Sequence, residues 1–264
     1  SKIVTMVERD MDQVKKRQKT MKILSRILVY LFLGVIAIIV LFPFYWMIIS
    51  SLKSLEEYKL AIPTLFPQVI HWDNYIKAFI TANLRQLFKN TMYVGVVSTI
   101  LSLVITVLSA FAFARLEFKG RDTFFTMLLA TMMIPGELFT ITNYQTVSNF
   151  LGLATLGKQL GIPLLVKLGM WHNTYAVLIV PFLVSVFYIY LLKQNFLQIP
   201  NELYLAAKVD GTTDLKYLWK VMIPLAFPTL ISITILKMMG AWNSYVWPRL
   251  VANREDMRMI TNGL

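Results

Sequence analysis

Residues 199–224 read IPNELYLAAKVDGTTDLKYLWKVMIP and separate two of the longest apolar runs of the chain. Charged residues, two prolines and one glycine punctuate this stretch, which is typical of a helix–turn–helix rather than of a membrane span. A handful of residues is enough to join two spans, yet this connection uses about two dozen. Its length and polarity predict a segment that contacts another molecule.

The composition of the whole chain is that of a membrane protein. Of its 264 residues, 57% are hydrophobic and only 15% are charged, which does not fit a soluble domain. A bilayer core takes roughly 20 apolar residues per helix, and a helix satisfies its own backbone hydrogen bonds in lipid. We therefore predict an all-α membrane protein, a polytopic helical bundle. Its five predicted spans are residues 27–52, 90–114, 123–145, 173–192 and 221–247.

The charge distribution predicts a cytosolic N-terminus. Residues 1–26 form a basic tail with eight Lys or Arg. Cytosolic segments of membrane proteins collect Lys and Arg. With the N-terminus inside, the inner segments carry fifteen basic residues and the outer segments carry ten. This topology explains the net charge of +12, so we expect no nucleic-acid partner.

Reactive and metal-binding side chains are scarce. The chain has no cysteine, which excludes disulfides, thiol catalysis and cysteine metal sites. The two histidines, His71 and His172, lie about 100 residues apart in predicted outer loops, which argues against a histidine metal site. No convergent set of acid, base and nucleophile is visible. We expect no metal, no cofactor and no enzymatic chemistry in this chain.

Local signals within residues 199–224 set the ends of two helices. Pro200 disfavours helix at the residue before it, so the fourth span ends there, and Asn201 is the predicted N-cap of the next helix. Gly211 is free to take the positive φ that ends this helix. Thr213 or Asp214 then caps a second helix.

The helix–turn–helix is predicted to present one apolar surface, to which the first helix, at residues 203–209, contributes small side chains. This surface comprises Leu203, Ala206, Ala207 and Leu218. A short helix with such a face fits the groove of a partner protein. The alternative is a connector that lies at the membrane interface, and the residues alone leave both interpretations open.

The third span contains a predicted break. Pro135 and Gly136 follow one another in the motif MMIPGE, and a proline in a helix removes a backbone hydrogen bond. Irregular backbone survives at membrane depth only beside protein or water, so a kink there is typical of a transport pathway. Glu137 lies at the break and is a candidate pathway residue; the alternative places it in solvent at the outer surface.

The fifth span contains a charged residue near its middle. Lys237 lies about 16 residues after the start of the span, and a charge at that depth marks a cavity or a partner by default. Trp242, Asn243 and Tyr245 follow it. Aromatic side chains with polar tips suit a sugar pathway, but they equally suit the outer membrane interface. We keep all four residues as pathway candidates.

Two predicted outer segments complete the chain's organisation. Residues 53–89 carry Trp72, Tyr75 and Phe79 at near-helical spacing, as expected either for a membrane interface or for a surface that docks an external partner. Residues 146–173 contain glycines and a proline that argue against a full span, so we expect an interfacial or re-entrant helix there.

Six motifs, in order, resemble those of permease subunits from bacterial ATP-binding-cassette sugar importers. The resemblance covers roughly residues 27–264 and is strongest to the smaller of the two permeases of the maltose-type subfamily. The motifs are NYIKAF (74–79), AFAFARLEFKGRD (110–122), MMIPGE (132–137), ELYLAAKVDG (202–211), IPLAFPTL (223–230) and AWNSYVWP (241–248).

The resemblance implies a type I importer permease fold in the bacterial inner membrane, with a cytosolic coupling helix in the loop 199–220. It implies that two permeases form the pathway, that an external solute-binding protein delivers a carbohydrate, and that two ATPase subunits or an ATPase homodimer bind ATP and magnesium. The residues that it assigns to ATPase coupling are Glu202, Leu205, Ala206, Ala207, Asp210 and Gly211.

This chain departs from the family pattern in three places. Leu205 stands where the family usually has the glutamate of a Glu-Ala-Ala triplet, so Glu202 would have to make any ion pair with the ATPase. Residues 150–167 are an additional piece that is a candidate contact for the binding protein. The family has another span after the TNGL-like segment, so we expect a sixth span beyond residue 264.

Two other classes of function remain open at this stage. An ion-coupled secondary transporter or channel usually needs carboxylates in its spans, and Glu137 is the single candidate. A membrane scaffold without transport activity would need neither Lys237 nor the break at Pro135. The charge of Lys237 also suggests an acidic or phosphorylated sugar as substrate; the alternative is a pair with Glu137 or with the second permease.

Overall fold

The computed structural model describes the backbone of residues 2–264 and the side chains from Arg17 onward. Within that range every regular element is a helix, which confirms the predicted all-α class. Two compact units are present, Ser1–Ala78 and Phe79–Leu264. The side chains of the predicted basic tail up to residue 16 lie outside the described residues.

The first unit contains one long helix and a short outer segment. Its helices are α1 (Lys2–Ser51), α2 (Leu55–Tyr58) and the start of α3 (Asp73–Thr81). Helix α1 continues through the predicted boundary between tail and span at residues 26 and 27, and its part from Arg17 to Ser51 is long and apolar enough to cross a membrane. Most of its large apolar side chains are exposed, as expected for a helix that faces lipid or partner helices.

Buried polar contacts hold the loop after α1 in place. The Glu57 carboxylate accepts hydrogen bonds from the Thr64 hydroxyl (2.6 Å) and the Gln68 amide. The ammonium of Lys53 donates to the carbonyl of Thr64 and lies 4.7 Å from the ring centroid of Trp46. These contacts account for the burial of two charged side chains next to the predicted end of the first span.

The second unit contains thirteen α-helical segments within the described residues. They are α4 (Leu84–Arg115), α5 (Arg121–Thr131), α6 (Gly136–Ser148), α7 (Leu153–Leu160), α8 (Pro163–Gly169), α9 (Tyr175–Ile179), α10 (Val186–Leu197), α11 (Asn201–Val209), α12 (Asp214–Tyr217), α13 (Ile223–Leu225), α14 (Phe227–Trp242), α15 (Val246–Val251) and α16 (Ile260–Gly263). Short 3-10 turns occupy Phe150–Gly152, Val180–Phe182 and Glu255–Met257, and a π-helical turn occupies Leu218–Met222.

The predicted spans are only partly continuous helices. Helix α4 is long and apolar enough to span a membrane, like Arg17–Ser51. The other three are bent pairs, with angles of 95° between Arg121–Thr131 and Gly136–Leu160, 48° between Tyr175–Phe182 and Val186–Leu197, and 79° between Asp214–Leu225 and Phe227–Trp242. Length and composition therefore allow two spans, or up to five if each bent pair is one span. The count of five stays a prediction.

The sequence predicted one of these bends and missed two. Pro135 precedes α6 as its N-cap, so the break expected from Pro135 and Gly136 is present. The runs predicted as spans at 173–192 and 221–247 each contain a bend that the sequence analysis did not predict. Pro181 interrupts the first run and Ser185 starts a new helix. In the second run the helices break at Ala226 and α14 already ends at Trp242.

Helix α4 is the central element of the packed core of this unit. It contacts α10 and α14 along its length, and the core includes Ala110, Phe111, Leu192, Phe196 and Leu218. Small residues on α4 allow this close approach, since a Cβ atom at Gly95 would lie 3.2 Å from the side chain of Met238. Helices α10 and α14 are thereby brought to one face of α4.

Candidate functional site

Two features of the second unit carry the candidate function: the segment 199–220 and a cavity beside Lys237. The first begins with α11. Its N-cap position is occupied by Pro200 and no side chain caps it, so the prediction that Asn201 is the N-cap is wrong. Asn201 is the first helical residue because Pro200, with φ −55° and ψ 135°, already sets the chain direction into the helix. Glu202 lies in the first turn, where a negative charge is favourable.

Helix α11 ends at a glycine, as predicted. Gly211 has φ +70°, and its amide donates to the carbonyl of Lys208 (3.0 Å). The next amide, of Thr212, donates to the carbonyl of Ala207 (2.8 Å). This pair of bonds is a Schellman motif, which needs a residue without a Cβ penalty at the left-handed position. Thr213 then caps α12 by accepting from the amide of Lys216, which resolves the choice between Thr213 and Asp214.

The outward side of α11, formed by its exposed side chains, carries several apolar residues between two acidic ones. Leu205 is 55% exposed and Val209 88% exposed, and Glu202, Leu203, Ala206 and Asp210 are exposed as well. The predicted apolar surface is only half correct. Leu203 and Ala206 belong to it, but Ala207 packs partly against the core and Leu218 is fully buried within it. Leu218 faces inward because the π-helical turn at Leu218–Met222 directs it toward α4 and α10.

Polar contacts fix α11 against α12. The Tyr204 hydroxyl donates to the Asp214 carboxylate (2.8 Å), and the Lys208 ammonium lies 2.7 Å from the same oxygen. The Tyr204 ring also packs against Tyr217, with centroids 5.1 Å apart. The hydrogen bond to Asp214 raises the pKa of Lys208. These contacts hold the helix–turn–helix as one piece, so a force on α11 acts on the helix that follows it.

The cavity lies between α4, the break before α10, and α14. Its volume is about 410 Å³. Its lining residues are Val94, Ser98, Leu178, Pro181, Phe182, Val184, Ser185, Tyr188, Lys237, Gly240, Ala241, Ser244, Trp247, Pro248 and Met259. The Lys237 ammonium donates to the backbone carbonyl of Phe182. Of the five residues predicted for a pathway, Lys237 is the one that lines this cavity.

The other four candidates lie elsewhere. Trp242 packs edge-on against Phe88, and Tyr245 contacts Arg249. Asn243 caps the end of α14, and Glu137 is exposed in the first turn of α6. Asn243 and Tyr245 leave the axis of α14 because that helix ends at Trp242. The proposed pair of Lys237 with Glu137 does not form among the residues that the structure describes.

Most residues that line the cavity were not predicted as site residues. Ser98, Ser185 and Trp247 are examples. The indole of Trp247 is buried and donates to the carbonyl of Val177 (2.9 Å). Ser185 could have been recognised in the sequence as an N-cap, because serine is a preferred N-cap residue and Pro181 interrupts the helix before it. Ser98 carried no local signal, since its role depends on which side of α4 faces α10 and α14.

The additional segment 150–167 forms a hairpin of two short helices, α7 and α8. A Cβ at Gly157 would lie 2.6 Å from the amide nitrogen of Val166, and one at Gly169 would lie 2.2 Å from that of Ala154. The glycines therefore let the two backbones touch. This agrees with the expectation that the segment is not a full span. Its role as a contact for the binding protein stays a prediction.

No group of three His, Cys, Asp or Glu side chains among residues 17–264 is arranged so that it could hold a metal ion. His71 pairs with the neighbouring Asp73, and His172 packs against the ring of Tyr144.

Comparison with known proteins places this geometry in a family. Residues 106–263 match the model of the "binding-protein-dependent transport system inner membrane component". The arabinooligosaccharides transport system permease protein AraQ of Halalkalibacterium halodurans is 32% identical, over 94% of this chain and 83% of the relative. The sn-glycerol-3-phosphate transport system permease protein UgpE of Rhizobium meliloti is 30% identical, over 91% of this chain and 81% of the relative.

A solved structure of an ABC importer is also similar to this chain. The crystal structure of a bacterial ABC transporter involved in the import of the acidic polysaccharide alginate matches with a TM-score of 0.70 and 25% identity, over 88% of this chain and 75% of the other. The family model covers more than half of the 264 residues and includes α11 and most of the residues around the cavity. The chain therefore belongs to the family of inner membrane components of binding-protein-dependent transport systems, the permeases of ABC importers.

Proposed function

We propose that this chain is one of two permease subunits of an ATP-driven importer that carries carbohydrate across the bacterial inner membrane. The relatives named for arabinooligosaccharides and for glycerol 3-phosphate, and the alginate importer, support a carbohydrate or related polyol as the cargo. The expected partners are a second, homologous permease, two ATPase subunits or an ATPase homodimer that bind ATP and magnesium, an external solute-binding protein, and membrane lipid.

The outward side of α11 is the observation that carries the proposal. Exposed apolar side chains such as Val209 and Leu205 on a rigid helix are unfavourable in water, and a groove in an ATPase subunit would cover them. The contacts of Asp214 with Tyr204 and Lys208 hold α11 rigidly against α12. Closure of the ATPase pair would then move α11 and, through its connections, the helices around the Lys237 cavity.

The orientation follows from the same assignment. If α11 contacts an ATPase, it lies in the cytosol, and the four predicted spans that precede it place the basic N-terminal tail on the same side, in agreement with the positive-inside rule. In this arrangement the hairpin α7–α8 lies outside, where an external binding protein would reach it.

A single-cysteine experiment tests partner and orientation together. The chain has no cysteine, so Val209→Cys gives this subunit a single thiol. We expect a membrane-impermeant maleimide to label it in inside-out vesicles, and ATPase subunits to protect it in the assembled complex. Leu160→Cys, in the outer hairpin, is the matched control and should be labelled in right-side-out vesicles without that protection.

A purification from the native membrane in mild detergent completes the test. We expect a second permease and an ATPase to co-purify, with ATP hydrolysis and uptake of a carbohydrate after reconstitution. Isolation of this chain alone, without ATPase activity, together with labelling of Val209→Cys from the outside, would contradict the proposal. That result would favour an ion-coupled carrier or a scaffold.

A further inference from the structure

Lys237 is held by a backbone group and not by an acid. Its ammonium has three N–H donors, and the Phe182 carbonyl accepts one of them. That carbonyl belongs to the 3-10 turn Val180–Phe182, which ends just before the break in the fourth predicted span. The contact fixes the position of the ammonium beside the cavity and leaves donors for another group.

No negative charge faces Lys237 from the cavity wall. The fifteen lining residues include neither Asp nor Glu, and the ion pairs among residues 17–264 do not involve Lys237. A charged side chain at membrane depth is costly unless it meets a partner or a water-filled pathway. The wall of the cavity therefore has a positive charge without a counter-ion of its own.

The N-terminal end of α10, which begins at the cavity, carries a positive partial charge like that of Lys237. Helix α10 starts at Val186, and its N-cap Ser185 lines the cavity beside Lys237. The Ser185 hydroxyl accepts from the amide of Tyr188, and the remaining first-turn amides leave a positive partial charge at this helix end, which favours an anion. In broken membrane spans, such helix ends face the anionic groups of substrates. Two independent features, a side chain and a helix end, thus give this wall a positive potential.

The remaining wall suits a sugar. Tyr188 and Ser244 add hydroxyl groups that donate and accept hydrogen bonds, Ser98 adds a hydroxyl that already donates to the carbonyl of Gly95, and Trp247 adds an aromatic surface. The volume of about 410 Å³ lies within the usual range for small-molecule sites. Hydroxyls recognise the ring of a sugar, but they do not balance the charge of Lys237.

We propose that this cavity takes a sugar with an anionic group, a carboxylate or a phosphate ester, and that Lys237 is its counter-ion. The inference rests on the proposed function as a carbohydrate importer and narrows its substrate class. Family membership does not decide the charge of the cargo, so the argument depends on Lys237, Phe182 and Ser185 of this chain.

The test uses the complete importer with its own binding protein in liposomes. Three labelled probes are compared, namely a uronate disaccharide, the neutral disaccharide obtained by reducing its carboxylates, and a hexose phosphate. We expect uptake of one of the two anionic probes, which also identifies whether a carboxylate or a phosphate is recognised. Uptake of the neutral disaccharide alone would overturn the inference and leave the proposed function intact, whereas uptake of no carbohydrate from a wider panel would overturn both.

Substitutions then assign the effect to Lys237. Lys237→Met should lower uptake of the anionic probe roughly 10- to 100-fold, the loss expected for a hydrogen bond to a charged group. Lys237→Arg keeps the charge and should retain most uptake, and Lys220→Met, an exposed lysine of the same bent pair, is the control for charge removal. Unchanged anionic uptake in Lys237→Met, or an equal loss for any neutral sugar that the importer carries, would overturn the role of Lys237.

Discussion

The guanidinium Nη2 of Arg115 lies 2.9 Å from the carbonyl oxygen of Phe196. The same atom lies 2.5 Å from the carbonyl oxygen of Ile199. Arg115 is the last residue of α4 and is buried, and the two carbonyls belong to the end of α10 and the turn into α11. One side chain thereby pairs the Ile199 carbonyl and adds a second donor to the Phe196 carbonyl, which also accepts from the amide of Ile199 (3.2 Å). It joins the helix that lines the cavity to the segment proposed to contact the ATPase.

We predict that Arg115 transmits movement between α11 and α4. Arg115→Met removes both hydrogen bonds and leaves the Ile199 carbonyl without this donor, while the Phe196 carbonyl keeps its bond from the Ile199 amide, so we expect a cost of about 1–3 kcal/mol. The expected result is basal ATP hydrolysis that sugar and binding protein no longer stimulate, measured in the reconstituted importer. Arg121→Met, whose side chain pairs with its exposed neighbour Asp122, should leave stimulation normal. Full stimulation in Arg115→Met would contradict the prediction.

The turn after α11 gives a second prediction, at Gly211. A β-branched residue resists the φ of +70°, so Gly211→Val should cost about 1–3 kcal/mol locally and uncouple or disassemble the complex. Gly211→Asn should be milder, because asparagine tolerates left-handed backbone. The readouts are co-purification of the ATPase and transport-linked ATP hydrolysis.

The control for this substitution is Gly34→Val, since a Cβ atom at Gly34 meets nothing within 4 Å and its φ is not positive. Transport-linked activity at the wild-type level in Gly211→Val would show that the positive φ does not matter for coupling.

A third prediction concerns the exposed side of α11. Val209→Arg adds a charge at a side chain that is 88% exposed, so the apparent melting temperature of the isolated permease should stay within about 1 °C of the wild type. Co-purification of the ATPase should fall at least about tenfold, because a buried, unpaired charge in a groove is costly. Leu160→Arg, exposed on α7, is the matched control. Normal ATPase binding by Val209→Arg would place the contact on another surface.

A fourth prediction concerns Asn90, which is completely buried on α4. Its amide nitrogen donates to the carbonyls of Asp256 (2.7 Å) and Arg258 (2.8 Å), and its amide oxygen accepts from the Tyr175 hydroxyl (2.9 Å). Asn90→Leu removes all three bonds and leaves the Arg258 carbonyl and the Tyr175 hydroxyl without this partner, although the Asp256 carbonyl keeps its bond from Gln86, so we expect a loss of about 2–4 kcal/mol in the free energy of unfolding.

The measurement is the apparent melting temperature of the permease in detergent. Lys89→Leu, at the exposed neighbouring position, should leave it almost unchanged. Equal stability of Asn90→Leu and the wild type would mean that these hydrogen bonds do not hold the Glu255–Met257 turn against α4.

Much of the fold was predictable because its signals are local. Runs of apolar residues predict helices at α1, α4 and α14, and Pro135 predicts the break that the structure places before α6. Gly211 also predicts the end of α11, because the backbone freedom of this one residue allows the positive φ that the turn needs. The break before α10 was missed because Pro181 was one signal within a long apolar run.

The sequence by itself determined that this chain is a helical membrane protein with a rigid polar helix–turn–helix, because hydropathy, proline and glycine act over a few residues. Only the tertiary structure decided which faces are buried. Leu218 is apolar like Leu203, yet it packs into the core while Leu203 stays exposed. Lys237 meets the carbonyl of Phe182, 55 residues away, and lines a cavity with Ser185 and Trp247. Such contacts depend on how broken helices pack together, and no local pattern encodes that packing.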